Sequence, residues 1–184
     1  MGLLRERLLA DRRMALAGAS GETIADALGA LGGEVELLEV DALATEDERV
    51  GEWAGARLPL HALVYCADRA FGGGGQEGLD AALEQAWCAV REIAVGALIE
   101  RAAGKLLLIG PRPDAGPLAG AARAGLENLA RTVSVEWARH GVTAVAIAPG
   151  ARTTEEELAE LVCFVLSEAG DYLSGCRLEL GAVA

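Results

Sequence analysis

Residues 115–150 read AGPLAGAARAGLENLARTVSVEWARHGVTAVAIAPG. Leu118–His140 is predicted helical, because Leu126, Leu129, Val133 and Trp137 recur at spacings that share one helical face. Gly141 follows, a residue suited to the left-handed position that ends a helix. Val142–Ala148 is then an almost unbroken apolar run, the mark of a strand covered on both sides. Pro149-Gly150 ends that strand, and prolines 111, 113 and 117 put a loop before the helix. A long amphipathic helix running into a fully apolar strand is one repeat of a parallel α/β design.

The same alternation extends in both directions. Upstream, strands are expected at Met14–Ala17, Glu34–Val40, His61–Ala67 and Lys105–Ile109. Helices are expected at Glu22–Leu31, at Thr45–Gly55 with Thr45 as N-cap, and from Leu79 to about Ala103. Gly18–Gly21, Gly32-Gly33 and the run Gly72–Gly75 are the turns and loops between them. Downstream come a helix over Glu155–Ala169 and a last strand over Cys176–Leu180. Right-handed crossovers fold such a chain into a three-layer α/β/α, Rossmann-like sandwich around a mostly parallel sheet of about six strands. No repeat or linker divides it, so residues 1–184 are expected to form a single domain.

Composition narrows the function classes. The net charge of −12 argues against nucleic acid and anionic membrane as partners, since both demand basic surfaces. No run reaches the roughly 18–20 apolar residues of a membrane helix. The first residues, Met-Gly-Leu-Leu-Arg-Glu-Arg, are charged too early for a signal peptide. Cys66, Cys88, Cys163 and Cys176 are widely spaced, with no Cys-x-x-Cys pair, and read as reduced thiols of a cytoplasmic protein. With only His61 and His140, no histidine metal centre is expected.

Several segments resemble the short-chain dehydrogenase/reductase family. Residues 119–150 are similar to its catalytic helix and the strand after it. Ala17-Gly18-Ala19-Ser20-Gly21 resembles a shortened form of its nucleotide loop. Tyr65-Cys66-Ala67-Asp68 stands where the family has Asn-Asn-Ala-Gly, Pro149–Thr154 resembles its Pro-Gly-x-x-x-Thr segment, and Tyr172–Cys176 its closing strand. In this resemblance Glu34–Asp41 matches the family's third strand, so one family strand, the second, is missing, as is the substrate-covering loop after Thr154.

The resemblance implies a catalytic tyrosine, lysine, serine and asparagine. Here Ala119 stands at the tyrosine position and Arg123 at the lysine position. The serine falls near Gly110-Pro111, and the asparagine near Ala86, beside Gln85. Alanine has no proton to give, and a guanidinium stays charged and cannot relay one. General acid–base help worth ~10²–10⁴ in rate is thereby lost, and no catalytic residue is assigned. Tyr65 is expected to plug the emptied cleft, Asp68 to be a loop carboxylate, Ser20 to cap a helix and His140 to complement a helix C-terminus.

The resemblance also implies a nucleotide. Gly18, Ser20, Gly21 and Asp41 are the candidate cofactor-binding residues, with NAD(H) as the possible ligand: amides at the helix start would take phosphate and Asp41 the ribose. Against this, the loop is short, Glu22 already answers the helix dipole, and the family's third-strand aspartate meets adenine. The balance favours no cofactor. The resemblance further implies that the helices around 79–103 and 118–140 pack on a second subunit, either a copy of this chain or a dehydrogenase. Trp87, Val90, Ile93 and Ala94, with Leu126, Leu129, Val133 and Trp137, serve either that face or the core. The function expected is a non-catalytic structural or regulatory subunit; the alternative is an NAD(P)-dependent oxidoreductase with an atypical active site.

Overall fold

Strand β1 (Arg13–Ala17) shows the logic of the whole sheet: Met14 and Leu16 enter one apolar layer, Ala15 and Ala17 the other. Successive side chains point to opposite faces, so a strand buried on both sides must be apolar throughout. The computed structural model describes residues 6–19, 22–39 and 47–181. Further strands are β2 (Glu34–Leu38), β3 (Ala62–Cys66), β4 (Gly104–Ile109), β5 (Val142–Pro149) and β6 (Cys176–Leu180). All pair in parallel, in the order β2-β1-β3-β4-β5-β6.

Helices α2 (Asp47–Gly55), α4 (Gln76–Ile93) and α6 (Ala119–Glu136) cover one face. Helices α1 (Thr23–Ala30) and α7 (Glu155–Leu166) cover the other. The expected three-layer Rossmann-like sandwich is present. One detail differs: the doubly wound order is 3-2-1-4-5-6, and here β2 pairs directly with β1, Arg13 opposite Glu34. β2 thus forms one edge of the sheet beside β1, and β6 the other.

Chain ends of the helices follow local chemistry. Gly141 has φ +65°, and a Cβ there would run into the Ala102 carbonyl oxygen, so the expected glycine stop is required twice over. Thr154 opens α7 with a capping box: its hydroxyl accepts from the Glu157 amide at 3.1 Å, and the Glu157 carboxylate accepts from the Thr154 amide at 2.9 Å. The helix expected over 155–169 stops at Leu166, because the Ser167 hydroxyl bonds back to Phe164 O and accepts from the Ala169 amide. The helix expected from Leu79 begins at Gln76, after a short α3 (Asp68–Phe71), and loosens into a π-turn over Ala94–Leu98 before α5 (Ile99–Arg101). Thr45 lies outside the described residues.

Candidate functional site

In parallel sheets, ligands sit where strand ends meet their loops at the carboxyl edge. At that edge β1 ends in Gly18, β3 in Ala67-Asp68, β4 in Gly110–Arg112 and β5 in Gly150. Two clefts open there, both walled by Ala19. One, of about 260 Å³, is lined by Thr23, Ile24, Cys66, Asp68, Ile109, Glu155 and Leu158. The other, of about 270 Å³, lies between α1 and β2 and includes Gly18, Glu22, Leu37, Glu39 and Arg69.

Arg123 and Arg112 hold this edge shut on the β4–β5 side. The Arg123 guanidinium, on the first turns of α6, donates to Pro111 O at 3.1 Å and to Pro149 O at 2.6 Å, and faces Glu179 of β6 at 3.4 Å. Its stem lies over Gly110: a Cβ at that residue would stand 3.0 Å from Arg123 Cγ. Arg112 donates to Gly150 O at 3.0 Å, to Thr153 O at 2.5 Å and to Glu155 at 2.7 Å. Thr153 closes the loop, accepting from the Gly150 amide and donating to Leu180 O. Both guanidinium forks are thus spent on backbone carbonyls and on the carboxylates of Glu155 and Glu179, a charge-assisted geometry that a point-charge lysine does not reproduce.

Ala119 is fully buried at the start of α6. Tyr65 does not plug a cleft. It is buried on the opposite face of β3, under α4, and its hydroxyl donates to Ala82 O at 2.9 Å. Burial drives its pKa above the ordinary tyrosine value, with the Cys66 thiol beside it adding to the shift. Period-two alternation explains the outcome: Cys66, one residue on, faces the cleft, and burial raises its thiol too. His140 follows α6 in a 3-10 turn, its Nε2 accepting from Arg139 at 3.1 Å.

Asp68 is a more interesting group than a loop carboxylate. It is half-buried at the start of α3, and desolvation raises its pKa; Glu155 raises it further, while Arg112 pulls the other way. Sequence reasoning gave Glu155, Arg112 and Glu39 no role. Glu39 carried a usable signal. A carboxylate about 20 residues past the glycine turn, just beyond the strand beside β1, is where a dinucleotide's ribose is held.

Of the candidate cofactor residues, Gly18 ends β1 with φ +70° and lines the α1–β2 cleft. Ser20, Gly21 and Asp41 lie outside the described residues. Around the two clefts, Glu22, Glu39, Asp68 and Glu155 oppose a single lining guanidinium, Arg69. Glu39 suits a ribose, but carboxylates at the α1 start and across the neighbouring cleft repel a pyrophosphate.

The expected partner face divides. Val90, Ile93, Ala94, Leu126 and Val133 are core; Leu129 and Trp137 are partly buried against it. Trp87 (45% exposed), Val95 (57%) and Val135 (76%) are the outward apolar residues of these helices. Among the described residues no group of histidines, cysteines and carboxylates is placed to hold a metal, and no helix is long and apolar enough to cross a membrane.

No family model matches the chain. An uncharacterized oxidoreductase of Caenorhabditis elegans is 39% identical over 51 residues, which span 28% of this chain and only 16% of that protein. Solved structures align over nearly the full length. A citronellol catabolism dehydrogenase of Pseudomonas aeruginosa superimposes with a TM-score of 0.78 at 22% identity, covering 97% of this chain and 96% of its own. A short chain dehydrogenase/reductase family oxidoreductase of Burkholderia thailandensis gives 0.77 at 20% identity, covering 92% and 91%. A hydroxysteroid dehydrogenase of Escherichia coli gives 0.75 at 17%, covering 97% and 99%. With a parallel sheet covered by helices on both faces and these likenesses over nearly its whole length, the chain carries the fold of the short-chain dehydrogenases/reductases.

Proposed function

We propose that this chain is a catalytically degenerate relative of the short-chain dehydrogenases, acting in the cytoplasm as a non-catalytic structural or regulatory subunit. The observation that carries the reading is the Arg123 fork. The side chain at the lysine position is committed to Pro111 O and Pro149 O, and Gly110 leaves it room. It supports two loops where the resemblance would place a proton relay. Ala119, four residues earlier on the same helix face, is sealed in the core and offers no hydroxyl. The four-carboxylate lining of the clefts argues the same way about the cofactor.

The partner surface in this reading is the outer side of α4 and α6, marked by Trp87, Val95 and Val135, and the partner is a second copy or a dehydrogenase subunit. Sedimentation velocity over a range of concentrations tests it. A dimer that Trp87→Glu and Val135→Glu dissociate supports the reading; a strict monomer that captures no dehydrogenase subunit overturns the subunit role.

One observation favours a second reading, an NAD(P)-dependent oxidoreductase with an atypical active site. Asp68 is a half-buried acid lining the cleft, its pKa raised by burial and Glu155, and a carboxyl so placed is a candidate general acid or base. Calorimetric titration with NADH and NADPH separates the two readings. Heat with either cofactor, lost in Glu39→Gln, establishes the second; silence with both removes it.

A further inference from the structure

A cavity of about 370 Å³ lies at the opposite end of the sheet, where β1, β3, β4 and β5 begin. Arg12, His61, Arg101 and Lys105 line it, with Asp171 as the one carboxylate. Such a concentration of cations is unexpected in a chain of net charge −12, so composition does not account for it.

The roles of these groups separate cleanly. Lys105 is the only lysine of the chain, and it is buried. Its ammonium donates to Val165 O at 2.8 Å and Ser167 O at 2.5 Å and pairs with Asp171 at 2.6 Å. Three donors meet three acceptors, so Lys105 and Asp171 cancel and form the floor. Arg13, next in sequence to Arg12, is likewise saturated by Glu34, Arg57 O and Leu58 O. Arg12 and Arg101 differ: neither guanidinium has a hydrogen-bond or ion-pair partner among the described residues. Both fields reach His61, which burial, Arg101 and Arg12 together keep below its ordinary pKa. His61 Nδ1 accepts the Arg13 amide at 3.0 Å, so in the neutral ring Nε2 carries the hydrogen. The wall thus offers two guanidinium groups without a partner among the described residues and an imidazole N–H, all donors.

We infer that this cavity binds the phosphate group of a small phosphorylated metabolite, gripped by Arg12 and Arg101 and hydrogen-bonded by His61. Guanidinium forks match phosphate oxygens in shape and charge. The volume falls within the range of small-molecule sites, about 300–1,000 Å³, and leaves room for an organic body beside the anion. The site is remote from the carboxyl-edge clefts and does not depend on the reading of their chemistry.

Calorimetry at low salt tests this on the whole chain, with glycerol 3-phosphate, inorganic phosphate and glycerol as probes. Glycerol 3-phosphate is expected to bind at least about tenfold more tightly than inorganic phosphate, and glycerol not at all. Arg12→Gln and Arg101→Gln are each expected to weaken the ester about tenfold, a loss equivalent to roughly 1.4 kcal/mol. Circular dichroism and melting of both variants confirm that they fold. No heat with either phosphate overturns the inference. So does ester binding that survives the double substitution, which puts the anion elsewhere. Equal affinity for ester and free phosphate overturns the metabolite as ligand.

Discussion

The two edges of one sheet use positive charge in opposite ways. At the carboxyl edge Arg112 and Arg123 are woven into the backbone, each with two carbonyls and a carboxylate. At the amino edge Arg12 and Arg101 face a cavity with no such partners among the described residues. Parallel α/β sheets ordinarily keep their ligand groups at the carboxyl edge, where the loops are free to vary. Here two guanidinium groups of that edge are bound to backbone, and two that have no side-chain partner among the described residues line the cavity at the other end. A guanidinium is a binding group only while its fork is open.

The largest effect expected from this contrast comes from Arg123→Ala. It deletes a charged donor to two carbonyls and leaves Pro111 O and Pro149 O without their partner. Hydrogen bonds to charged groups are worth about 1.5–3 kcal/mol each, so a loss of about 3 kcal/mol is expected, a fall in Tm of about 6–12 °C for a chain of this size. Arg123→Lys should recover only part of it: Nη1 donates to both carbonyls while Nη2 faces Glu179, and a lysine does not present this pair of nitrogens. Thermal denaturation of the two variants measures this. A loss below about 1 kcal/mol in Arg123→Ala would show that the fork is not a structural staple.

How far these edges were legible in the sequence depended on the range of the signal. Periodicity and glycine stops act within a few residues, so β5, α6 and the Gly141 turn were predictable from residues 115–150. The order of the sheet is a long-range property. The resemblance matches Glu34–Asp41 to the family's third strand, and no local pattern in that segment says that β2 pairs with β1. The candidate site was legible only as absence: Ala119 and Arg123 mark what is missing. Arg123 gripping Pro149 O across 26 positions, and Arg12 and Arg101 meeting at one cavity, arise from folding and leave no local pattern. Tyr65 shows the remaining gap. It stands at the strand end the sequence indicates, and which face of the sheet it enters is decided by the register of β3, which places it under α4.

Asp68 sharpens the comparison at the carboxyl edge through pH. Burial and Glu155 raise its pKa above the ordinary carboxylate value of the unfolded chain. Below that ordinary value both states are protonated and Asp68 imposes no penalty. As pH rises through the ordinary range, the unfolded chain ionises first and gains, so stability falls until the folded carboxyl also ionises. Above that point the penalty is constant. Asp68→Asn removes it while leaving the Arg112–Glu155 pair in place. The variant should melt higher than the wild type at pH 7, and the difference should close as pH is lowered through the ordinary carboxylate range. A lower Tm at pH 7 would mean that Arg112 outweighs burial and Glu155.

The smallest effect belongs to the amino edge, and its smallness is the point. Arg101 is exposed, holds no carbonyl or carboxylate among the described residues, and shares a cavity with Arg12 and His61. Removing its charge breaks no side-chain hydrogen bond among the described residues and relieves a repulsion. Arg101→Gln should therefore shift stability by no more than about 0.5 kcal/mol, with any gain fading as added salt screens the cluster. The same side chain that binding would need is one that folding does not. Should Arg101→Gln instead destabilise the chain as strongly as Arg123→Ala does, the amino-edge guanidinium is structural as well, and the asymmetry between the two edges disappears.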